Sequence, residues 1–453
     1  MMTNELETQQ PDTRTTPRHL KPSIFECGKI PGLTTLIMVL TGYIIFSYKK
    51  MLSSEYWHAF RMLLPLDLEI YLDGGKRVLN HTPLYDGDIN VEHGLPFTYP
   101  PFSGWVFSWL AQGNYDAISV IWYALTAFSM FAIILMVFHT YRFELSIGSV
   151  TVAGLLTLAT MTLEPVHSNM YFGQINIFLM FLVCLDFLLP EGKRLPGIGT
   201  GLAAGLKLTP ALFGVIFLFQ RRWWAAAGSF LTFVVTVIIG NVTVVDGASY
   251  WTGTFKDSTR IGDHTHPAAQ SLKSVLVRVY GQDSTVVWAI LVGLMLAVMC
   301  VVIWGCMQRD LTALSVAVVG IVACVISPFS WTHHYVWLAL FVVSIMVHML
   351  YVLGRVFNYE GVVDAVLGQG FALASLTAGF VLSVPFVASS FFISPTYSVL
   401  VHDNPVHGHW FMWTAVVYVV VVFVVVCWQW VWDRIAMRRQ NRKQYIQHSH
   451  EVV

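Results

Sequence analysis

From Phe411 to Trp432 the chain reads FMWTAVVYVVVVFVVVCWQWVW, without a single charged residue. A run of about twenty apolar residues spans a bilayer as a helix. Inside lipid every backbone N–H and C=O needs an internal partner, so only helices and closed barrels cross. Barrel strands alternate apolar and polar residues; this run does not. Composition makes the same point for the whole chain. It is 56% hydrophobic and 11% charged, where soluble domains carry about 25% charged residues. The 26 basic and 26 acidic residues cancel, so nothing points to a nucleic acid or another polyanion as partner. The expected class is an all-α polytopic membrane protein.

Apolar periodicity and turn residues predict helices at 33–48, 116–138, 147–163, 171–189, 197–207, 209–220, 224–245, 286–308, 311–328, 331–352, 366–392 and 411–432, about twelve in all. The stretch 101–111 is too short to cross and should lie on the membrane or re-enter it. Residues 1–30 read as a disordered cytoplasmic arm, 31–433 as one transmembrane domain and 434–453 as a basic cytoplasmic tail. Outer loops are expected at about 49–100, 246–285 and 393–410. No cleavage-like site follows the first apolar run, which predicts a retained first helix. Five of the six cysteines fall inside apolar segments, so neither a disulfide framework nor a zinc site is expected.

Basic residues set the orientation. With the N-terminus inside and Lys207-Leu208-Thr209-Pro210 as a turn between two short helices, Lys193-Arg194 and Arg221-Arg222 both fall inside. Were 197–220 one helix, they would fall on opposite faces. Broken helices at membrane depth line cavities, and the polar residues that resist the composition then gather on the outer side of the membrane. They are Asp67, Glu69, Asp73, Tyr99 in the Phe97–Pro101 turn, Gln174, Asn176, Lys207, His264, His266, Gln270, His333 and His334. One outward-facing cavity would collect them.

Each has a bland reading beside the functional one. Asp67, in LPLDLEIYLDGG, is a general base or a solvated loop acid or helix cap. Lys207 is a phosphate ligand or a lysine that snorkels to the interface. Gln174 and Asn176, in YFGQINIF, are substrate contacts or capping groups. His333 and His334 offer hydrogen-bond donors or acids. With His264 and His266 they could hold a metal, but no acidic cluster accompanies them. Arg260, with Lys256, Lys273 and Arg278, makes the second long loop suited to an anionic headgroup or to anionic membrane lipids. No nucleotide-binding loop and no transporter-like inverted repeat is present.

DLEIY, LPFTYPPF, FGQINIF, GLAAGLKLTP, QSLKSVLVR and SPFSWTHHYVW occur in this order. In that order they resemble glycosyltransferase family 87, polytopic enzymes of the GT-C fold from mycobacterial and corynebacterial envelopes. The likeness covers roughly residues 60–340. It implies a hexosyltransferase that moves mannose from polyprenyl-phosphate-mannose to the 2-hydroxyl of a mannose on a phosphatidylinositol mannoside or related lipoglycan. Transfer would invert the sugar, form an α-1,2 linkage and take place on the outer face of the plasma membrane. By the resemblance Asp67 is the catalytic aspartate, and one of His333 and His334 lies near the donor phosphate. Lys207, in the family's Lys-x-Thr-Pro element, would meet the phosphate with His264 and Arg260. Tyr99, Gln174, Asn176, Gln270 and Glu69 would contact substrate. The sequence reads Ala269-Gln270-Ser271-Leu272 where the family often has Asn-Gln-Ser-Leu, so position 269 receives no role. A sugar phosphate carries its own leaving group, so no metal or other cofactor is expected. A polyprenyl-phosphate-arabinose-dependent arabinofuranosyltransferase remains the rival within enzymes. A lipid or solute transporter with an outer anion site is the rival outside them.

Overall fold

The computed structural model describes residues 30, 32–53, 65–89, 94–190, 192, 194–281, 284–356, a few positions within 377–382, and 410–451. The chain order is α1 (Leu33–Ser53), α2 (Leu66–Leu79), α3 (Pro101–Leu110), α4 (Tyr115–Thr140), α5 (Ile147–Thr160), α6 (Glu164–Tyr171), α7 (Asn176–Phe187) and α8 (Ile198–Leu206). A 3-10 turn at Thr209–Phe213 leads into α9 (Gly214–Phe219), α10 (Trp223–Thr243), α11 (Gly247–Thr252), α12 (Leu272–Tyr280), α13 (Thr285–Met307) and α14 (Thr312–Ile326). A second 3-10 turn, Thr332–Val336, opens α15 (Trp337–Val356), and α16 (Trp410–Glu451) ends the described chain. No strand occurs among the described residues.

Five described helices are long and apolar enough to cross a membrane, and the bent pair α5–α6 would make a sixth. Their outward surfaces carry exposed Trp224, Phe230, Val242, Val286 and Ile290, a pattern that suits lipid rather than water as the solvent. At the centre stands α14, buried along nearly its whole length. Gly320 lets it meet α15, since a Cβ there would lie 2.1 Å from the Trp337 ring.

Several expectations need correction. The 49–100 segment is not only loop, because α2 occupies 66–79. Its leucines alternate at first, yet the buried residues are Leu68, Ile70, Tyr71, Leu72, Gly74, Gly75 and Val78, which recur at the three- and four-residue steps of a helix rather than at every second position. Gly75 is the reason this helix sits so close to α3: a Cβ there would be 2.4 Å from the Phe107 carbonyl oxygen. The expected helix 147–163 stops at Thr160, and α6 leaves it at 79°. Pro165 fits the first turn of α6 but could not continue α5. The second membrane helix of that region begins at Asn176 rather than 171. Residues 246–285 carry α11 and α12, and 101–110 is a helix packed on α2 and α10. The last helix does not end at 432 but runs to Glu451, through the expected tail. The 1–30 arm (Ile30 apart), the 366–392 helix (isolated positions apart) and the 393–410 loop (Trp410 apart) lie outside the described residues.

The break at Lys207 turns the chain back on itself. Along α10, Gly197 packs against Ala225, Gly201 against Ser229 and Thr232, and Gly205 against Thr236, so α8 runs parallel to α10. The 3-10 turn and α9 then return to Gln220 and Arg222, at the start of α10. The foot of this hairpin is tied by Asp186 at the end of α7, whose carboxylate accepts from Gly197 N (3.0 Å), Thr200 N (2.6 Å) and Thr200 Oγ1 (2.7 Å). Arg222 donates to the Asp186 carbonyl (2.9 Å). Lys207 is therefore at one end of the hairpin, and Arg194 and Arg222 are at the other.

Candidate active site

Asp67 lies in the first turn of α2, half-buried, and its backbone N–H donates to the Phe172 carbonyl (3.0 Å). That bond fixes the start of α2 to the loop between α6 and α7. Gln174, two residues on, faces the Asp67 carboxylate as a hydrogen-bond donor. Its orientation is set from the other side. Gln174 Oε1 is surrounded by Tyr71 OH (3.3 Å), Tyr99 OH (3.2 Å) and Asn176 Nδ2 (3.1 Å), which leaves its amide nitrogen for Asp67. Tyr71 sits one turn along α2 from Asp67, with its hydroxyl 2.8 Å from that of Tyr99. Stacking on Phe107 holds its ring, with centroids 4.5 Å apart.

Asn176 connects this half to a cation. Its Oδ1 accepts from Lys207 Nζ (2.9 Å), while Nδ2 also lies 3.2 Å from Asn169 Oδ1 and 3.1 Å from the His333 carbonyl. The ammonium of Lys207 stands 5.2 Å from the Tyr99 ring centroid. It is placed there because α8 ends at Lys207 with extended backbone (φ −153°, ψ 132°). Asn176 also opens α7, whose N-cap residue, Ile175, makes no side-chain capping bond. A helix N-terminus and an ammonium side by side favour an anion.

A recess runs inward from this point, rimmed by Asn176, Lys207, Thr209, Ser330 and His334. The Nδ1 of His334 accepts the Trp331 N–H (3.2 Å), so a neutral ring carries its proton on Nε2. His333 is turned elsewhere. Its ring packs 5.3 Å from that of Phe172, and its Nε2 is buried without a hydrogen-bond partner among the described residues.

Burial pushes the Asp67 carboxyl up to about 6, against the opposing pull of the Gln174 hydrogen bond and the Lys207 charge. Ionised at neutral pH yet more basic than an ordinary aspartate, it suits proton abstraction. The arrangement offers a base at one end of a short polar chain and an anion site at the other.

A profile of glycosyltransferase family 87 matches residues 97–328. A polyprenol-phosphate-mannose-dependent alpha-(1-2)-phosphatidylinositol pentamannoside mannosyltransferase from Mycolicibacterium smegmatis is 30% identical over 375 residues, covering 80% of this chain and 84% of the relative. The chain belongs to glycosyltransferase family 87. A polyprenol-phosphate-mannose-dependent alpha-(1-2)-phosphatidylinositol mannoside mannosyltransferase from Mycobacterium tuberculosis is 35% identical over 294 residues, covering 60% and 68%. No solved structure matches.

Within this glycosyltransferase the sequence-derived site divides. Asp67, Tyr99, Gln174, Asn176, Lys207 and the His333–His334 turn come together. Glu69 does not join them: on another face of α2, it accepts from the exposed Tyr115 hydroxyl (3.1 Å). His264 is bracketed by Ser258 Oγ (3.0 Å) and Ser274 Oγ (3.0 Å), so both ring nitrogens are committed to holding its loop on α12. Gln270 is spent on backbone, with its side chain joined to Pro267 O (2.6 Å) and Met412 N (3.2 Å). Arg260 reaches the Tyr85 carbonyl (3.0 Å), and the Tyr85 hydroxyl in turn donates to Tyr99 O (2.7 Å). It thus braces the Tyr99 turn from behind. Among the described residues no three His, Cys, Asp or Glu side chains converge as metal ligands. Sequence reasoning missed Tyr71 and Asn169. The signal for Tyr71 was its place four residues after Asp67, on the same helical face; for Asn169 there was none.

Proposed function

We propose that this family 87 enzyme transfers mannose from polyprenyl-phosphate-mannose to the 2-hydroxyl of a mannose on a phosphatidylinositol mannoside or related lipoglycan. The observation that carries the reading is the connected set Asp67–Gln174–Asn176–Lys207, which pairs one base with one anion site. The donor and acceptor classes come from the relatives' names. Asp67 takes the proton of the acceptor hydroxyl as that oxygen attacks the anomeric carbon. The C–O bond to phosphate breaks on the opposite face, so a β-linked donor gives an α product. One carboxylate suffices because the phosphate leaves without protonation, unlike the alkoxide that a spaced carboxylate pair serves in hydrolases.

Lys207, the first turn of α7 and the Nε2–H of His334 meet the charge that builds on the departing phosphate, the kind of stabilisation that lowers a barrier most in a dry site. No metal takes part, since the positive charge is supplied by side chain and backbone. The fold is of the GT-C class, with twelve membrane helices, both termini inside and the Lys207 end of the hairpin in a cavity open to the outer face of the plasma membrane. Grouping of Arg194 with Arg222 at the hairpin foot supports that orientation. The test is an assay of membranes expressing the chain, with labelled polyprenyl-phosphate-mannose or polyprenyl-phosphate-arabinose and mannosylated phosphatidylinositols. Mannose is expected in the lipid product. Label arriving only from the arabinose donor, or from neither, would refute the proposal.

A further inference from the structure

By sequence Arg278 suits an anionic headgroup, yet the structure turns its guanidinium inward. Half-buried in the last turn of α12, it reaches back along that helix to the segment that precedes it. Nη1 donates to the His264 carbonyl (3.2 Å) and to the His266 carbonyl, and Nη2 donates to the Ala269 carbonyl. Residues 264–268 are turn and bend, so their carbonyls lack the regular partners of a helix or sheet and depend on groups such as this one. A planar guanidinium holds its N–H groups in a fixed fork, which lets one side chain fix several carbonyls at once.

The same segment is joined on its other side to the histidine turn. Ala269 pairs with Trp331 in an isolated antiparallel bridge. Gln270 N donates to the Ser330 carbonyl (2.6 Å), the Tyr335 hydroxyl donates to the Gln270 carbonyl, and Ser271 Oγ donates to the Pro328 carbonyl (3.1 Å). The His266 ring packs edge-on against Trp331, with centroids 5.3 Å apart. Trp331 N–H in turn donates to Nδ1 of His334 (3.2 Å), the bond that leaves Nε2 to carry the proton. The connection from Arg278 to His334 is therefore short: guanidinium to Ala269, Ala269 to Trp331, Trp331 to the imidazole.

We infer that Arg278 is a positioning residue for the transfer: it clamps residues 264–269 against the turn at 328–335 and so aims His334 at the departing phosphate. The fork of the guanidinium matters here, not its charge alone. The inference rests on the function proposed above, and moves Arg278 from headgroup contact to brace.

The experiment uses the full chain in detergent, with steady-state kinetics at varied donor and thermal-shift titration with inorganic phosphate. Arg278→Lys keeps a cation but cannot span the carbonyls; Arg278→Gln removes the charge as well. Both should lower kcat by between roughly tenfold and a hundredfold, the scale of a misaimed group, and change donor KM far less. In the His334→Ala background either substitution should cost no more than about twofold further, the usual error of such a cycle. A residue that merely supported the fold would cost as much in either background. Inorganic phosphate carries the charge that the departing group acquires, so its affinity should fall in Arg278→Lys and fall no further when His334→Ala is added. The melting point without ligand tells which variants are folded. Wild-type turnover or wild-type phosphate affinity in Arg278→Lys would overturn the inference. So would an undiminished loss in the His334→Ala background, or a failure of both variants to fold. Mannose transfer by the wild type is scored separately: failure there, with the phosphate pattern intact, would reject the donor reading and keep the brace.

Discussion

Asp67→Asn separates catalysis from folding because the same burial that makes Asp67 a better base makes it a burden on the fold. The carboxyl goes from 3.8 to about 6. That rise of about two pKa units, at 1.36 kcal/mol each, corresponds to at most about 3 kcal/mol of folded-state destabilisation when Asp67 is ionised. The folded pKa lies above the unfolded one, so the folded state binds the proton more tightly. The burden is absent below about pH 4, grows between there and about pH 6, and is constant above. Asparagine keeps the shape and can present its oxygen to the Gln174 amide, but never ionises. The variant should therefore melt higher than wild type at pH 7 in detergent, and the gap should close as the pH falls to about 4. Turnover should fall at least about a hundredfold, the lower end for loss of a general base. Wild-type kcat/KM should itself rise with pH through about 6, as the base is deprotonated, and the residual activity of the variant should lack that step. A variant that melts lower than wild type at pH 7, or one with wild-type turnover, would refute the reasoning.

Removing the ammonium by Lys207→Ala should lower kcat more than it raises the donor KM, since only interactions that strengthen in the transition state accelerate the reaction; steady-state kinetics with varied donor would check it. His334→Ala should behave likewise, whereas His333→Ala, on a ring packed against Phe172, should lower the melting point more than it changes the ratio of kcat to donor KM. Activity should persist in a chelator; loss restored by a divalent ion would overturn the proposed source of positive charge. In a background stripped of native cysteines, a cysteine at position 207 should react with an impermeant thiol reagent in intact cells and one at 221 should not. The reverse pattern would reject the orientation of the hairpin.

The long crossings were legible because nothing but a membrane helix accommodates runs such as those in α4 and α13. The break at Lys207 was legible for a different reason, the charge parity that a single helix would violate. What the sequence concealed was short and tertiary. The alternation of Leu66-Asp67-Leu68-Glu69-Ile70 resembles an extended segment, and only contact with α3, allowed by Gly75, makes its face a helical one. The site followed the same logic. A polar residue in an apolar run is costly wherever it sits, so the sequence flagged Gln174, Asn176, Gln270 and His264 by one criterion. It could not tell which of them would be satisfied by neighbouring backbone and serines, as Gln270 and His264 are, and which would be aimed at Asp67 and Lys207. Tyr71 escaped because an aromatic residue at helical spacing looks like core, which it also is.

The central claim is that one carboxylate and one anion site carry out a single inverting displacement from a lipid-linked mannosyl phosphate. The measurement that tests it most directly is the linkage and anomeric configuration of the product made by wild-type enzyme from β-mannosyl polyprenyl phosphate, determined by NMR. The account predicts a new α-mannose on the 2-hydroxyl of the acceptor's terminal mannose, with no such product from Asp67→Asn on the same timescale. A β-linked product, or an α product formed equally well without the Asp67 carboxylate, would contradict it.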